Sequence, residues 1–384
     1  MKELRMILTT GGTGGHIFPA LALAGEMRRL RPEARILFLG GRQGPEAGLA
    51  REAGLEFASL PARGFLGRGL AAVPAAWDMA RSLLLALRHM RRFCPGLVVG
   101  FGGYAAFAGV LAAVVSGVPA AIHEQNSLPG LSNRILARLV RTVFLSLPDT
   151  GGFFDARKTV LTGNPVRPEI AALHGRAERR TCEAGKERSR CRLLVLGGSQ
   201  GARAINNAMI AIAGDLLKAG LEIVLQTGRD DCERVRESCL GLDAEKLDIR
   251  PFIDDMAAAY AWADLALCRA GASTLAELCA AGLPSLLVPY PHAANDHQRL
   301  NAATLEKAGA ARVLEQAVFS GAPDRLSAAL LSLLQDGKKL RSMTEAALSL
   351  ARPLAARSLA EAALRMISPD APEPDNQGAA DAQC

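Results

Sequence analysis

The residues with most chemical reach sit in "GGTGGHIFPA", residues 11 to 20, directly behind the apolar run Met6 to Leu8. Glycines let backbone N–H groups approach a ligand closely, and a following helix N-terminus adds partial positive charge, so the loop suits phosphate or another anion. His16 adds a ring that titrates near neutral pH, a base or a hydrogen-bonding handle. Taken alone, the loop is equally a tight strand-to-helix turn. "CRLLVLGGSQGARAIN", Cys191 to Asn206, repeats strand, glycine loop and helix about half a chain later. In "CRAGASTLAEL" a strand, Leu265 to Cys268, turns into a helix starting near Ser273, whose N–H groups can meet a diphosphate. Glu277 lies one turn into that helix, where a carboxylate can accept two hydrogen bonds from a diol. Gln298 in "DHQRLN" offers amide donor and acceptor, which suits sugar hydroxyls.

Several chemistries fit poorly. "GGTGGH" does not complete Gly-x-Gly-x-x-Gly, because Ile17 holds the third glycine position, and "ARILFLGG" lacks a terminal acid for a dinucleotide ribose. Neither loop ends in Gly-Lys-Ser/Thr, which excludes the common nucleotide-triphosphate loop. Asp254 and Asp255 are adjacent and do not make an Asp-x-Asp metal site. The eight cysteines form no Cys-x-x-Cys pair and no zinc spacing, and read as reduced thiols of a cytoplasmic protein. No secretory leader is evident.

The elements that must position these groups follow from length and periodicity. A chain of 384 residues should hold about two domains, and short β-like runs alternating with helical patterns point to α/β architecture with parallel sheets. Two glycine loops half a chain apart imply two Rossmann-like domains facing a cleft, with ligands beyond the carboxyl ends of the strands. Between Arg92 and His123 there is no Asp, Glu, Lys or Arg, as a membrane span would require, but glycine punctuation divides the stretch into a buried βαβ unit. The expected layout is residues 1–165, a linker region 166–190, residues 191–352, a C-terminal helix 353–367, and a disordered tail 368–384 rich in Pro, Asp, Ala and Gly.

Charge is uneven. Residues 1–168 carry 20 Lys/Arg against 10 Asp/Glu, a net of +10, which leaves −3 for the rest of a chain of net +7. The first half should therefore seek an anionic partner. Nucleic acid is not indicated, since no basic run interleaves with aromatics. A membrane surface fits better: Val73, Trp77, Ala80, Leu84, Leu87 and Met90 recur at helical steps, with Arg81, Arg88 and Arg92 placed on another face and Phe65 and Leu66 just upstream. The competing reading is an amphipathic helix packed on a sheet.

With "GGYAAFAGVLAA", "HEQN", "GNPVR" and the long run Pro251 to Ala311, these motifs in this order resemble the family of bacterial glycosyltransferases that add N-acetylglucosamine to undecaprenyl-pyrophosphoryl-N-acetylmuramoyl-pentapeptide in peptidoglycan synthesis. The resemblance runs from Met6 to about Ile367. It implies a GT-B type fold, UDP-N-acetylglucosamine as donor, inversion at the anomeric carbon, no cofactor or metal, and a peripheral place on the cytoplasmic face of the inner membrane. The partners implied are the undecaprenyl-linked acceptor and an anionic membrane surface, with room for other cell-wall synthesis proteins. Thr13, Gly14, Gly15, Asn126, Arg167, Ser199, Ile253, Ala272, Ser273, Thr274, Glu277 and Gln298 are implied on the donor, with Glu277 on the ribose, Ser199 on the diphosphate, and Arg167 and Ile253 near the uracil. Gly14, Tyr104, Asn126 and Asn133 are implied on the acceptor. His16 is the first choice for deprotonating the attacking hydroxyl, with His123 and Glu124 as competitors. Two other readings share the motifs: a related UDP-sugar transferase acting on another lipid, and a non-catalytic nucleotide-sugar-binding scaffold at the membrane.

Overall fold

In the computed structural model, residues 4–12, 14–42, 44–63, 72–176, 191–198, 201–293 and 296–367 are described. The first half builds one parallel sheet from β1 (Arg5–Thr9), β2 (Arg35–Gly41), β3 (Glu56–Leu60), β4 (Leu97–Gly100), β5 (Ala120–Glu124), β6 (Thr142–Leu145) and β7 (Thr159–Leu161), in the order β3-β2-β1-β4-β5-β6-β7. The second half builds another from β8 (Cys191–Leu196), β9 (Leu221–Gln226), β10 (Leu247–Arg250), β11 (Leu265–Cys268), β12 (Ser285–Leu287) and β13 (Ala311–Val313), in the order β10-β9-β8-β11-β12-β13. Both sheets are covered on both faces, which is why Met6, Ile7 and Leu8 in β1 or Leu193 to Val195 in β8 are continuous apolar runs, all fully buried. Strand order reverses between β1 and β4 and between β8 and β11, and a crevice for ligands opens at such a reversal.

Helices α1 (Gly14–Leu30), α2 (Glu46–Glu52), α3 (Ala72–Phe93), α4 (Tyr104–Val115) and α5 (Leu131–Leu136) flank the first sheet. The uncharged stretch is β4, α4 and β5, and α4 is 12 residues long. No described helix is long and apolar enough to cross a membrane. On α3 the residues turned to the core are Ala75, Ser82, Ala86, Met90 and Phe93, whereas Trp77 and Leu84 are 68% and 67% exposed. Arg81 and Arg88 are exposed as well and, four residues beyond Trp77 and Leu84, lie beside them rather than on another face as their spacing had suggested. Two apolar stripes run along this helix, and periodicity alone does not say which one the sheet takes. The side chain of Val73 and residues 64–71, with Phe65 and Leu66, lie outside the described residues, as do 177–190 of the linker region and 368–384.

The chain crosses between the halves twice. Gly163, at φ +82°, packs so closely on Arg352 that an added Cβ would lie 2.6 Å from the arginine Cβ. Beyond Arg352 the helix Ala355–Ile367 returns to the first half and inserts Leu359, Ala360 and Ala363 into the same core as Ile17, Leu23 and Met27 of α1.

Candidate active site

At the reversal point of the first sheet, β1 runs into the glycine loop and α1. The loop is held from below by Glu46, fully buried at the start of α2, whose Oε1 accepts from the N–H groups of Gly12 (2.9 Å) and Gly41 (3.2 Å). Thr13 lies outside the described residues. Gly14 is half-buried, Gly15 is exposed, and His16 is half-buried in the first turn of α1. The His16 ring lies against Gly102 at φ +101°, where an added Cβ would sit 2.9 Å from the ring, so this neighbour must be glycine. Tyr104 opens α4 two residues on, half-exposed.

"HEQN" ends β5. His123 is fully buried and its Nε2 faces the Gly163 carbonyl at 3.1 Å; burial pushes its pKa down to about 4. Both oxygens of Glu124 are taken: Oε1 accepts from the Asn126 N–H (2.9 Å) and Nδ2 (3.2 Å), Oε2 from the Gly130 N–H (3.2 Å) and Asn133 Nδ2 (2.8 Å). A carboxylate with four donors is a brace for the loop, and taking up a proton there would break part of that set. Asn133 is buried, with its Oδ1 unpartnered. Gln125 joins the two histidines: Oε1 meets His16 Nδ1 at 3.1 Å and Nε2 meets His123 Nδ1 at 3.1 Å. Burial lowers the His16 pKa, opposed by the negative charge of Glu124 and the hydrogen bond to Gln125.

Across the cleft, β11 leads to Gly271 and the helix Ala272–Ala281, which has no side-chain cap and no acid in its first turn. The first N–H groups of such a helix suit an anion. Ala272, Ser273 and Thr274 are half-exposed there. Ser273 Oγ donates to the Gly15 carbonyl at 3.0 Å, and Asn164 Nδ2 reaches Ser273 Oγ at 3.4 Å. Glu277 is 9% exposed, accepts from Tyr260 Oη at 2.8 Å on Oε2, and pairs through Oε1 with Arg167 Nη2 at 3.3 Å. Burial raises its pKa, and Arg167 and Tyr260 hold part of that back. Arg167 lies over the Phe18 ring of α1 at 5.1 Å. The Ile253 side chain is buried.

In the helix His297–Lys307, Gln298 Oε1 accepts from the Tyr290 N–H at 3.0 Å. Asn301, fully buried, crosses to the other half: its Oδ1 accepts from the Ser127 N–H (2.9 Å) and its Nδ2 donates to Asn126 Oδ1 (3.1 Å). A cavity of about 170 Å³ is lined by Gly201, Ala202, Arg203, Asn206, Asp230 and Asp231; Ser199 lies outside the described residues. Asp255 N-caps the helix Met256–Trp262, accepting from the Ala258 N–H at 2.9 Å. Among the described residues no three His, Cys, Asp or Glu side chains converge as a metal site, and the six described cysteines are unpaired.

The structure thus brings His16, His123, Glu124 and Asn126 together on one wall and Ser273, Thr274, Glu277 and Arg167 on the other, with Ser273 touching Gly15. Gln125, Tyr260, Glu46 and the crossing role of Asn301 went unmarked in the sequence. Gln125 stands inside the quoted motif, but its link to His16 spans 109 residues and exists only once the chain is packed.

The glycosyltransferase family 28 N-terminal domain matches residues 6–145 and the family 28 C-terminal domain matches residues 192–360. A relative from Nitratidesulfovibrio vulgaris (Miyazaki F), named as a UDP-N-acetylglucosamine–N-acetylmuramyl-(pentapeptide) pyrophosphoryl-undecaprenol N-acetylglucosamine transferase, is 53% identical over 93% of this chain and 96% of its own length. One of the same name from Solidesulfovibrio magneticus is 50% identical over 95% and 98%. The crystal structure of Acinetobacter baumannii MurG superposes with a TM-score of 0.75 at 30% identity, covering 94% of this chain and 99% of that one. A UDP-GlcNAc 2-epimerase from Neisseria meningitidis, with a TM-score of 0.65 at 12% identity over 94% of this chain and 100% of that one, shares the fold alone.

Proposed function

The chain belongs to glycosyltransferase family 28, and on that premise we propose that it transfers N-acetylglucosamine from UDP-N-acetylglucosamine to the C4 hydroxyl of undecaprenyl-pyrophosphoryl-N-acetylmuramoyl-pentapeptide, a step of peptidoglycan synthesis. The observation that carries the reading is the 3.0 Å contact of Ser273 with the Gly15 carbonyl, which sets the loop bearing His16 against an uncapped helix N-terminus. A base and an anion cradle then flank one point.

The acceptor hydroxyl attacks the anomeric carbon from the face opposite UDP. The new C–O bond forms as the bond to the diphosphate breaks, UDP leaves with the electron pair, and the hydroxyl proton passes to His16 Nε2. Its lowered pKa keeps the His16 ring neutral, and therefore able to accept, at neutral pH. Charge growing on the diphosphate is met by N–H groups at Ala272, Ser273 and Thr274, fixed in the helix before the reaction begins, and by Ser199 of the second glycine loop. Glu277 takes the donor ribose, with Tyr260 holding its second oxygen. Arg167 and the backbone at Ile253 flank the uracil, and Gln298 takes sugar hydroxyls. Gly14, Tyr104, Asn126 and Asn133 serve the acceptor side, with Asn126 and the loop residues Thr13 to Gly15 also reaching the donor. His123 and Glu124 build the wall behind His16. No resident metal or cofactor enters the scheme.

The first unit (residues 1–165) holds the acceptor and the second (191–352) the donor. The protein sits peripherally on the cytoplasmic face of the inner membrane, with Trp77 and Leu84 entering the interface and Arg81 and Arg88 meeting anionic headgroups. The test is UDP release from UDP-N-acetylglucosamine with and without the lipid-linked muramoyl-pentapeptide. Release that depends on that acceptor supports the reading; donor binding without release in its presence overturns it.

A further inference from the structure

Gln125 is 2% exposed and lies between the two histidines at the end of β5. Its Nε2 end meets the carbonyl oxygens of Phe101 at 3.0 Å and His123 at 3.3 Å. A carbonyl oxygen only accepts, so this end must be the NH2 and the opposite end the oxygen. That oxygen meets His16 Nδ1 at 3.1 Å. An amide oxygen also only accepts, so His16 Nδ1 carries the hydrogen, and in the neutral ring the lone pair falls on Nε2. The far end of the chain agrees. His123 Nε2 faces the Gly163 carbonyl at 3.1 Å and must donate, which leaves His123 Nδ1 to accept from Gln125 at 3.1 Å. From Gly163 through His123 and Gln125 to His16, each ring hydrogen has one allowed place.

We propose that Gln125 is a positioning residue of the transfer reaction: it locks His16 as the Nδ1–H tautomer and so presents the Nε2 lone pair to the acceptor hydroxyl, with His123 holding the amide from behind. Without the lock the ring divides between two tautomers, and the one protonated on Nε2 cannot take a proton there. A carboxylate at position 125 would set a second negative oxygen against the Phe101 and His123 carbonyls, whereas an amide satisfies both ends at once. Gly102 leaves the space that the ring occupies, since a side chain there would collide with it.

This rests on His16 being the base, and the experiment separates the two claims. In protein labelled with 15N-histidine, the His16 resonances, assigned by their loss in His16→Gln, report which ring nitrogen carries hydrogen at neutral pH. Nδ1–H is expected in the wild type; an Nε2–H majority overturns the proposal without any variant having to fold. In Gln125→Met the His16 nitrogens should shift toward a tautomer mixture. There kcat should fall about 5- to 50-fold, a share of the ~10²–10⁴ that a general base supplies, with the donor KM within about twofold. An unchanged tautomer and kcat in that variant overturns the lock. Full kcat in His16→Gln overturns His16 as base, and with it the purpose of the lock, whatever the spectrum of the wild type shows.

Discussion

Tyr260→Phe removes one hydroxyl and tests whether the buried carboxylate of the second half is held as described. Tyr260 is 2% exposed, Glu277 is 9% exposed, and the hydroxyl donates to Oε2 at 2.8 Å. A hydrogen bond to a charged group contributes about 1.5–3 kcal/mol, and losing the donor leaves a buried carboxylate oxygen without a partner. The transition that includes the second half should therefore fall in Tm by about 3–12 °C, at about 2–4 °C per kcal/mol for a unit of this size. The pH dependence is set by sign. Burial already raises the Glu277 pKa in the fold above its unfolded value, so the stability linked to this group is full at low pH and falls as pH rises through the folded pKa. Taking away a donor to the ionised form raises that pKa further. The cost of Tyr260→Phe should consequently be larger at pH 8 than at pH 4.5, and the donor KM should rise more than kcat falls. Calorimetric melts at the two pH values, with the steady-state constants beside them, decide it. A loss under about 0.5 kcal/mol, or the same loss at both pH values, refutes the reasoning.

His16→Ala should lower kcat by about 10²- to 10⁴-fold, and because burial depresses its pKa the acid limb of wild-type kcat/KM should fall below pH 6.5; a limb above that value counts against His16. His123, pushed down to about 4, stays neutral in the fold while its unfolded form protonates, so stability should drain away as pH falls from about 6.5 to 4, by ~3 kcal/mol, and chemical unfolding of His123→Gln should lack that slope. Trp77→Ser with Leu84→Ser should reduce cosedimentation with anionic vesicles, while undiminished binding would return α3 to a purely packing role. Asn301→Ala should cost about 1–3 kcal/mol by orphaning the Ser127 N–H and the Asn126 oxygen, and should loosen the two halves, visible as a larger radius in solution scattering.

Much of the architecture was legible because parallel strands buried on both faces write themselves as unbroken apolar runs, and glycines mark each turn into a helix. The stretch Phe93 to Ile122 shows the value of that punctuation, since its composition alone mimics a membrane span. The outward stripe of α3 was visible as a period, but a helix with two apolar stripes does not disclose which one the sheet takes. The partners of Glu277 could not be read, because Tyr260 lies 17 residues away and Arg167 lies 110 away, and only packing brings them together. Asn301 is the same case at 175 residues from Asn126. Asp255, which the sequence only sets apart from a metal site, is a helix cap, a role fixed by the N–H three residues on.

The return of Ala355–Ile367 to the first half has a consequence for how the molecule is made. Leu359, Ala360, Ala362 and Ala363 complete a core whose other buried members, from Met6 to Phe144, leave the ribosome more than 200 residues earlier. Until those last turns emerge, the side of α1 that they cover is bare apolar surface on a nascent chain, while the second sheet is still being synthesised. The first-made unit is thus the last to close, and a ribosome that stops before residue 355 releases a product that is sticky on that side and a natural target for chaperones and proteases. Only a chain translated through Ala355–Ile367 can cover the side of α1 left bare before it.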